Sequence, residues 1–416
     1  MKKHYNEIFD ETYYTDTLEN GLEVIVFHKP EFVTSVASLM VKYGAYDYQQ
    51  IVDGELVKVP TGIAHFLEHK MFESSKGDIM TIFSEMQANV NAYTSYNQTV
   101  YYFSTTNNKM TELVQLLLDF VLKLEITEES VEKEKGIICE ELLMYQQLPE
   151  SRIYFGLLKN MYSTLPINED VGGSVEDVKL TTVEDLYNVH KINYDPSNMS
   201  LIITTSDDPQ QLIDNLVFAN NTKRITKSTA SYNEPNEVES QYEQIKLGLH
   251  QNKIALGIKL GIKINSIKEL IEYQLAIKIY LQAIFTPVND NYQEWLDNRI
   301  INDYFDFEAN ITDKYSFLAF FAEKTTVEKF KEFIYHNLDV SLLSHEDFEQ
   351  VKNSFITSSI MSFNSPNSIT MGFTNKLISG YNPFDQYNVL QSLNYQRVIE
   401  IVSSLDLSNY SMVEIV

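Results

Sequence analysis

The strongest constraint on what this chain can fold into is that it carries one structural signature twice. The stretches "DPSNMSLII" (195 to 203) and "DLSNYSMVE" (406 to 414) match at Asp, Ser, Asn and Ser, 211 residues apart. The stretches "TVYYFSTTNNKMTELVQLLLDF" (99 to 120) and "SFLAFFAEKTTVEKFKEFIYHN" (316 to 337) each read as an apolar strand followed by an amphipathic helix, at an offset of 217. Two matches at nearly one offset indicate a duplicated domain. The length of 416 residues suits two domains of about 200 residues each.

Within the first copy, "GLEVIVFH" and "VTSVASLMVKYGAY" are rich in β-branched and aromatic residues and bounded by turn formers, so they read as strands. A helical segment is expected around 61 to 86. The alternating run 88 to 106 predicts two adjacent strands, followed by helices at about 109 to 124 and 128 to 147. The polar stretch 220 to 241, with Pro235 and almost no apolar periodicity, reads as a linker near the midpoint. The expectation is an α+β protein of two homologous domains, each a mostly antiparallel sheet packed with helices. Its divisions are 1–222, a linker at 223–240, and 241–416.

The charge balance narrows the partners. With 58 acidic against 32 basic side chains the net charge is -26, which repels nucleic-acid phosphates, favours cationic peptides and keeps the surface soluble. A single cysteine, Cys139, excludes an intrachain disulfide framework and points to a reducing compartment. No run approaches the roughly 18 apolar residues of a membrane span, and none follows the early lysines, so a cytoplasmic protein is expected.

The chemistry concentrates in "HFLEH" (65 to 69), where two of the eight histidines lie four apart. On a helix His69 falls about 40° round from His65, and Glu68 about 60° to the other side, so all three share one sector. Two imidazoles one turn apart can share a zinc ion, and catalytic zinc takes three protein ligands plus an open position. Glu68 is then free to act as general base on a water. The competing reading, a satisfied core histidine pair beside a solvated glutamate, fails if a third ligand exists.

The helix "EKEKGIICEELLMYQ" (132 to 146) offers one. Glu134 and Glu141 fall on or beside an apolar stripe through Val131, Ile138, Leu142 and Tyr145, where a carboxylate is costly unless paired or metal-bound. Glu140 falls about 100° away, toward solvent. Glu141 is assigned as third metal ligand, and Glu134 as an acid that orients a histidine ring. The second copy is an internal control: at a similar offset it has "QAIFT" (282 to 286), with no ligand. The other six histidines sit in no paired spacing and read as structural or surface residues.

These residues resemble the pitrilysin or insulinase family of zinc peptidases, the inverzincins, with their H-x-x-E-H order. "GIAHFLEHKMF" is similar to the family's metal helix, "NAYTS" (91 to 95) to its substrate-binding edge strand, and "EKEKGIICEELLM" to its glutamate helix. Glu141 follows His69 by 72 residues, slightly fewer than is usual in the family, and the likeness spans essentially the whole chain. It implies a zinc endopeptidase for short unfolded peptides, such as a ribosomally made peptide under maturation, with one Zn2+ per chain. Asn91 and Ala92 would meet the substrate. Active members also receive an arginine and a tyrosine seven residues apart. The corresponding stretch, 291 to 307, has Arg299 and Tyr304 five apart. The resemblance therefore implies a metal-free paralogous subunit as partner, forming a heterodimer, with a homodimer second. Two rivals are a non-catalytic structural subunit and a peptide-binding module with closed structural zinc. Cys139 would be the fourth ligand of the latter, but it lies about 160° round the helix from Glu141.

Overall fold

The structure, a computed structural model, describes residues 1–75, 77–217 and 225–416. It resolves into two units: residues 1–143, 170–231 and 360–378, and residues 144–169, 232–359 and 379–416.

The first unit is built on a seven-stranded sheet. In chain order its strands are β1 (Lys2–Asn6), β2 (Glu11–Thr17), β3 (Glu23–His28), β4 (Ser35–Val41), β5 (Ala88–Thr94), β6 (Thr99–Thr105) and β7 (Met199–Thr205). The spatial order is β1-β2-β3-β7-β4-β6-β5, antiparallel throughout except for the parallel pair β3 and β7. Every residue of β4 and β7 is buried, as expected of strands covered on both faces. The helix α1 (Ile63–Met71) lies beside β5 and β6. Helices α2 (Met110–Leu122) and α3 (Glu128–Gln147) fall close to their expected ranges.

The second unit repeats the topology on five strands: β8 (Tyr242–Ile245), β9 (Lys253–Lys259), β10 (Asp306–Ile311), β11 (Ser316–Glu323) and β12 (Tyr410–Ile415). Their order is β8-β12-β9-β11-β10, again with one parallel pair, β8 and β12, at the same place in the sequence of pairings. Thus β7 corresponds to β12, and β6 to β11, as the repeated motifs require. In the position of α1 the second unit has the helix Ile267–Phe285, whose Ala283, Ile284 and Phe285 are core.

The units are not the two halves of the chain. Helix α4 (Pro149–Met161), from the first half, packs on β9 and β12. Gly257 makes this possible, because a Cβ there would stand 2.7 Å from Met161 Sδ and 2.9 Å from Leu157 Cγ. After helix α5 (Val327–Asn337), helix α6 (Pro366–Leu377) packs on β4 and β7. Its Thr374 and Thr370, one turn apart, pair their hydroxyls with Ser38 at 2.6 Å and Thr204 at 2.8 Å, so these buried hydroxyls are satisfied within the contact. The expected boundaries 1–222, 223–240 and 241–416 therefore divide the sequence but not the packing: 144–169 and 360–378 each join the sheet of the other half.

Two local expectations are corrected. The helical segment 61 to 86 is two helices, α1 and Ile79–Glu85, separated by the hairpin Glu73–Ser74 with Gly77–Asp78. Gly77 at φ 113° makes the turn, and Asp78 caps the second helix by accepting from Met80 N. Tyr145, placed on the apolar stripe, is 40% exposed, because α3 runs past the core in its last turn. Of the expected linker, residues 223 and 224 lie outside the described residues. Further on, Lys227–Thr229 pairs with the strand Gln49–Val52. Glu234 accepts from Ser163 N, Thr164 N and Leu165 N and from Lys259 Nζ at 2.6 Å.

Burial raises the Glu234 carboxyl, but the Lys259 ammonium and the three backbone N–H groups outweigh it and hold its pKa below the ordinary value. A depressed folded-state pKa stabilises above the unfolded value, near 4.5, and that stabilisation is lost as pH falls through the folded one. Glu234→Gln should therefore lower unfolding stability at pH 7 by about 2–3 kcal/mol, since it leaves Lys259 without its carboxylate. In urea titrations at stepped pH, the gap to the parent protein should close below the ordinary carboxylate range; a gap that stays constant with pH would contradict the assignment.

Candidate metal and catalytic site

The site sits on α1, β5 and α3, all in the first unit. Helix α1 starts at Gly62, in the left-handed region at φ 77°. A side chain there is impossible, because its Cβ would fall 2.0 Å from Gly172 O; at Gly173, also left-handed, a Cβ would fall 2.4 Å from Thr61 C. The loop 170–174 thus lies directly on the start of the helix. Asp177 holds the same corner, accepting from Thr61 N at 3.1 Å and Thr61 Oγ1 at 2.6 Å. Along α1, Ile63, Ala64, Phe66, Leu67, Lys70 and Met71 are buried, while His65, Glu68 and His69 are partly open. Apolar residues anchor the helix on three sides and leave the one sector foreseen from its spacing.

Three side chains converge there. His65, His69 and Glu141 each offer a ligand atom, all within 4.8 Å of one another. The rings of His65 and His69 are 4.5 Å apart at 68°. His69 Nε2 stands 3.7 Å from Glu141 Oε2. Four donors around zinc, at bond lengths near 2.0–2.1 Å, sit roughly 3.4 Å apart, so small rotations of these side chains would bring the set to that geometry. The donor types also fit, because two neutral imidazoles and a carboxylate are what a catalytic zinc takes. His65 is held neutral: burial, and then neighbouring His69, push its pKa down to about 4. Its Nδ1 is buried near Gly172 with no hydrogen-bond partner among the described residues.

Glu134 stands one layer back. Its Oε1 is 3.0 Å from His69 Nδ1. A carboxylate can only accept, so Nδ1 carries a hydrogen, and in the neutral ring Nε2, which faces Glu141, is the nitrogen with the free lone pair. The bond to His69 is the main cause holding Glu134 below the ordinary carboxylate range. Burial works to lower the His69 pKa, but the Glu134 bond and the charges of Glu68, Glu134 and Glu141 together raise it above the ordinary value.

Glu68 is not in the donor set. Its Oε2 accepts from Thr94 Oγ1 at 2.6 Å, and burial raises its pKa against the lowering effects of Thr94 and His69. A carboxylate with a raised pKa beside three side chains that could hold a metal ion is suited to taking and returning a proton. Thr94 was not singled out from the sequence, although it lies inside the quoted run "NAYTS"; its spacing from Asn91 puts it on β5 but says nothing of which helix it meets. Lys70 was also missed. Its ammonium, with a side chain only 3% exposed, pairs with Glu73 and stands 3.8 Å from Glu134 Oε2.

Asn91 and Ala92 lie on β5, at the end of the strand order of its sheet. Asn91 Oδ1 accepts from Ala92 N at 2.8 Å. Glu140 is exposed and Cys139 is buried, its Sγ 3.9 Å from Val175 O. Arg299 and Tyr304 have different surroundings: Arg299 lines a surface groove with Trp295, whereas the Tyr304 ring lies 3.5 Å from Lys253 Nζ.

Residues 24–174 match the model of the insulinase family, peptidase family M16. The chain is 33% identical over 404 residues to the uncharacterized zinc protease YmfH of Bacillus subtilis, covering 95% of this chain and 94% of that one. A protein of Schizosaccharomyces pombe named a probable mitochondrial-processing peptidase subunit beta is 30% identical over 203 residues, 48% of this chain and 43% of its own. Among solved structures, one from Alicyclobacillus acidocaldarius described as M16-like superposes with a TM-score of 0.91 at 27% identity, over 98% of both chains. Full-length likeness in sequence and in fold, on a chain whose two copies share one sheet topology, leaves a single conclusion: this chain belongs to the insulinase (M16) peptidase family.

Proposed function

We propose that this chain is a zinc-dependent endopeptidase of the H-x-x-E-H type, acting on short unfolded peptides. His65, His69 and Glu141 hold the zinc, Glu68 is the general base, and Glu134 orients His69. The observation that carries this reading is the convergence of the three donor side chains within 4.8 Å, beside a second carboxylate, that of Glu68, which is excluded from the trio and hydrogen-bonded to Thr94 instead. Zinc, when bound, supplies a Lewis acid for the scissile carbonyl and lowers the pKa of a water. Glu68 then takes a proton from the attacking water and returns it to the leaving amine, a role its raised pKa suits. Glu134 keeps the hydrogen on His69 Nδ1 through every turnover.

The peptide lies along β5, whose outer edge has no neighbouring strand among the described residues. Asn91 and Ala92 meet its backbone, and the Asn91 side chain, which occupies the Ala92 N–H, turns away to release that donor. The separate locations of Arg299 and Tyr304 support an assembly in which a metal-free paralogue supplies a substrate clamp, with a second copy of this chain as the lesser alternative. A non-catalytic role has less support, since all four residues that the chemistry needs are present. The lone, hydrogen-bonded Cys139 accords with a reducing, cytoplasmic setting.

Activity on a mixture of unfolded peptides, assayed with and without the nearest metal-free paralogue, tests the reading. Glu68→Gln should retain one zinc per chain and lose at least a thousandfold in turnover; zinc retention with undiminished cleavage would remove Glu68 from its role. Glu134→Gln should weaken zinc 10- to 100-fold in a competition titration with a chelating dye, because its amide holds the ring without a charge. Unchanged affinity would make Glu134 a bystander.

A further inference from the structure

Lysine is rarely buried unless it is paired, yet Lys70, which directly follows His69 in α1, is only 2% exposed. Nothing in the proposed chemistry uses it. Its ammonium meets acceptors from two further segments. Glu73, in the hairpin that follows α1, takes it as an ion pair. From α3, the Ser130 carbonyl accepts at 3.3 Å and Glu134 Oε2 stands 3.8 Å away. The last turn of α1, at the negative end of the helix dipole, adds to the attraction.

The two oxygens of Glu134 are thus divided between consecutive residues of α1. Oε1 accepts from His69 Nδ1 at 3.0 Å, and Oε2 faces the Lys70 ammonium. A carboxylate that shares its charge with a cation is a weaker acceptor, so it lends less basicity to the imidazole it orients. The same ammonium stands behind a region that holds Glu68, Glu134 and Glu141. Without metal it offsets their mutual repulsion; with a metal ion among the donors it meets a second cation instead. A group that favours the metal-free form over the metal-bound form lowers metal affinity by the same factor.

We propose that Lys70 is a built-in counter-ion that acts through Glu134 to set the metal affinity of this site, keeping the donors assembled without metal and limiting how tightly metal is then held. This rests on the zinc reading above and goes beyond it, because that reading gives Lys70 no part. A lysine that only packs α1 against α3 would act in the opposite direction: its loss would loosen the two helices, disperse the donors and weaken metal binding. The two roles therefore differ in sign.

The test measures zinc affinity of the full chain against a chelating dye, together with unfolding of the metal-free chain in urea. Lys70→Met keeps an apolar stem and removes the charge. It should bind zinc about fivefold tighter or more, while its metal-free form unfolds at lower urea. In a Glu134→Gln background the gain should shrink to about twofold or less, because the charge through which Lys70 acts is gone. Weaker or unchanged zinc binding by Lys70→Met overturns the proposal, as does a gain of full size in that background. If Lys70→Met does not fold, Glu73→Gln decides. Glu73 is partly exposed, and without it the ammonium bears more fully on Glu134, so zinc should weaken about threefold; no change, or tightening, would sink the idea. A parent chain that takes up no zinc overturns the peptidase reading and this proposal with it, whereas zinc uptake with unmoved affinity in the variants overturns this proposal alone.

Discussion

The His69–Glu134 hydrogen bond, 3.0 Å long, is the contact on which the site depends. It ties α1 to α3 across 65 residues of sequence, sets which nitrogen of the ring carries the hydrogen, and thereby aims the other at Glu141. Without it, His69 would be a half-buried imidazole free to turn, and Glu141 would lose its neighbour. The bond also sets a charge problem. It adds Glu134 to a region that already holds Glu68 and Glu141, and three carboxylates in a partly buried space repel one another. Lys70, buried on the opposite side of α1 from solvent, answers this from behind: it stands 3.8 Å from Glu134, pairs with Glu73, and donates to Ser130 O at 3.3 Å. A metal ion in the trio would answer it from the front.

Backbone contacts hold this arrangement in place. Gly62 and Gly173 are both left-handed and pack backbone to backbone, so α1 begins at a point set by a loop more than a hundred residues later. A helix whose start can slide would carry His65, Glu68 and His69 round its axis by about 100° per residue. Because the apolar positions of α1 are buried on all remaining sides, a slide would also expose Phe66 or Leu67, each fully buried here. The site's precision thus comes from ordinary core packing together with a glycine contact that permits no Cβ.

Much of this was readable from the residues. The spacing of His65, Glu68 and His69 is a property of one helix, and local periodicity reports it directly. The doubled sheet was readable because strand and helix motifs recur at nearly one offset. Contacts that join distant segments were not. Nothing local to Thr94 names Glu68 as its partner, and nothing in "ITMGFTN" (369 to 375) says that Thr370 and Thr374 will meet Ser38 and Thr204 in the other half of the sequence. The helix foreseen over 61 to 86 failed for a smaller reason: Gly77 and Asp78 turn and cap within a run whose composition otherwise favours helix.

The exchange of α4 and α6 also explains why the linker stretch carries so much structure. Pro149 and Pro366, which open the two helices, are 217 residues apart, the offset of the repeat itself, so each copy gives its corresponding helix to the other's sheet. A chain exchanged in this way cannot be separated at its midpoint without stripping both sheets of a cover. The connection between the copies is therefore under no demand to be loose, and Glu234, with its four partners around residues 163 to 165 and Lys259, makes part of it core-like instead. Duplication followed by exchange keeps one copy's sheet and helices intact while the other diverges. The first copy carries His65, Glu68 and His69 on its α1, and the second has filled the same position with Ala283, Ile284 and Phe285, burying them where the first leaves a sector open. The donor cluster is thereby confined, among the described residues, to one copy.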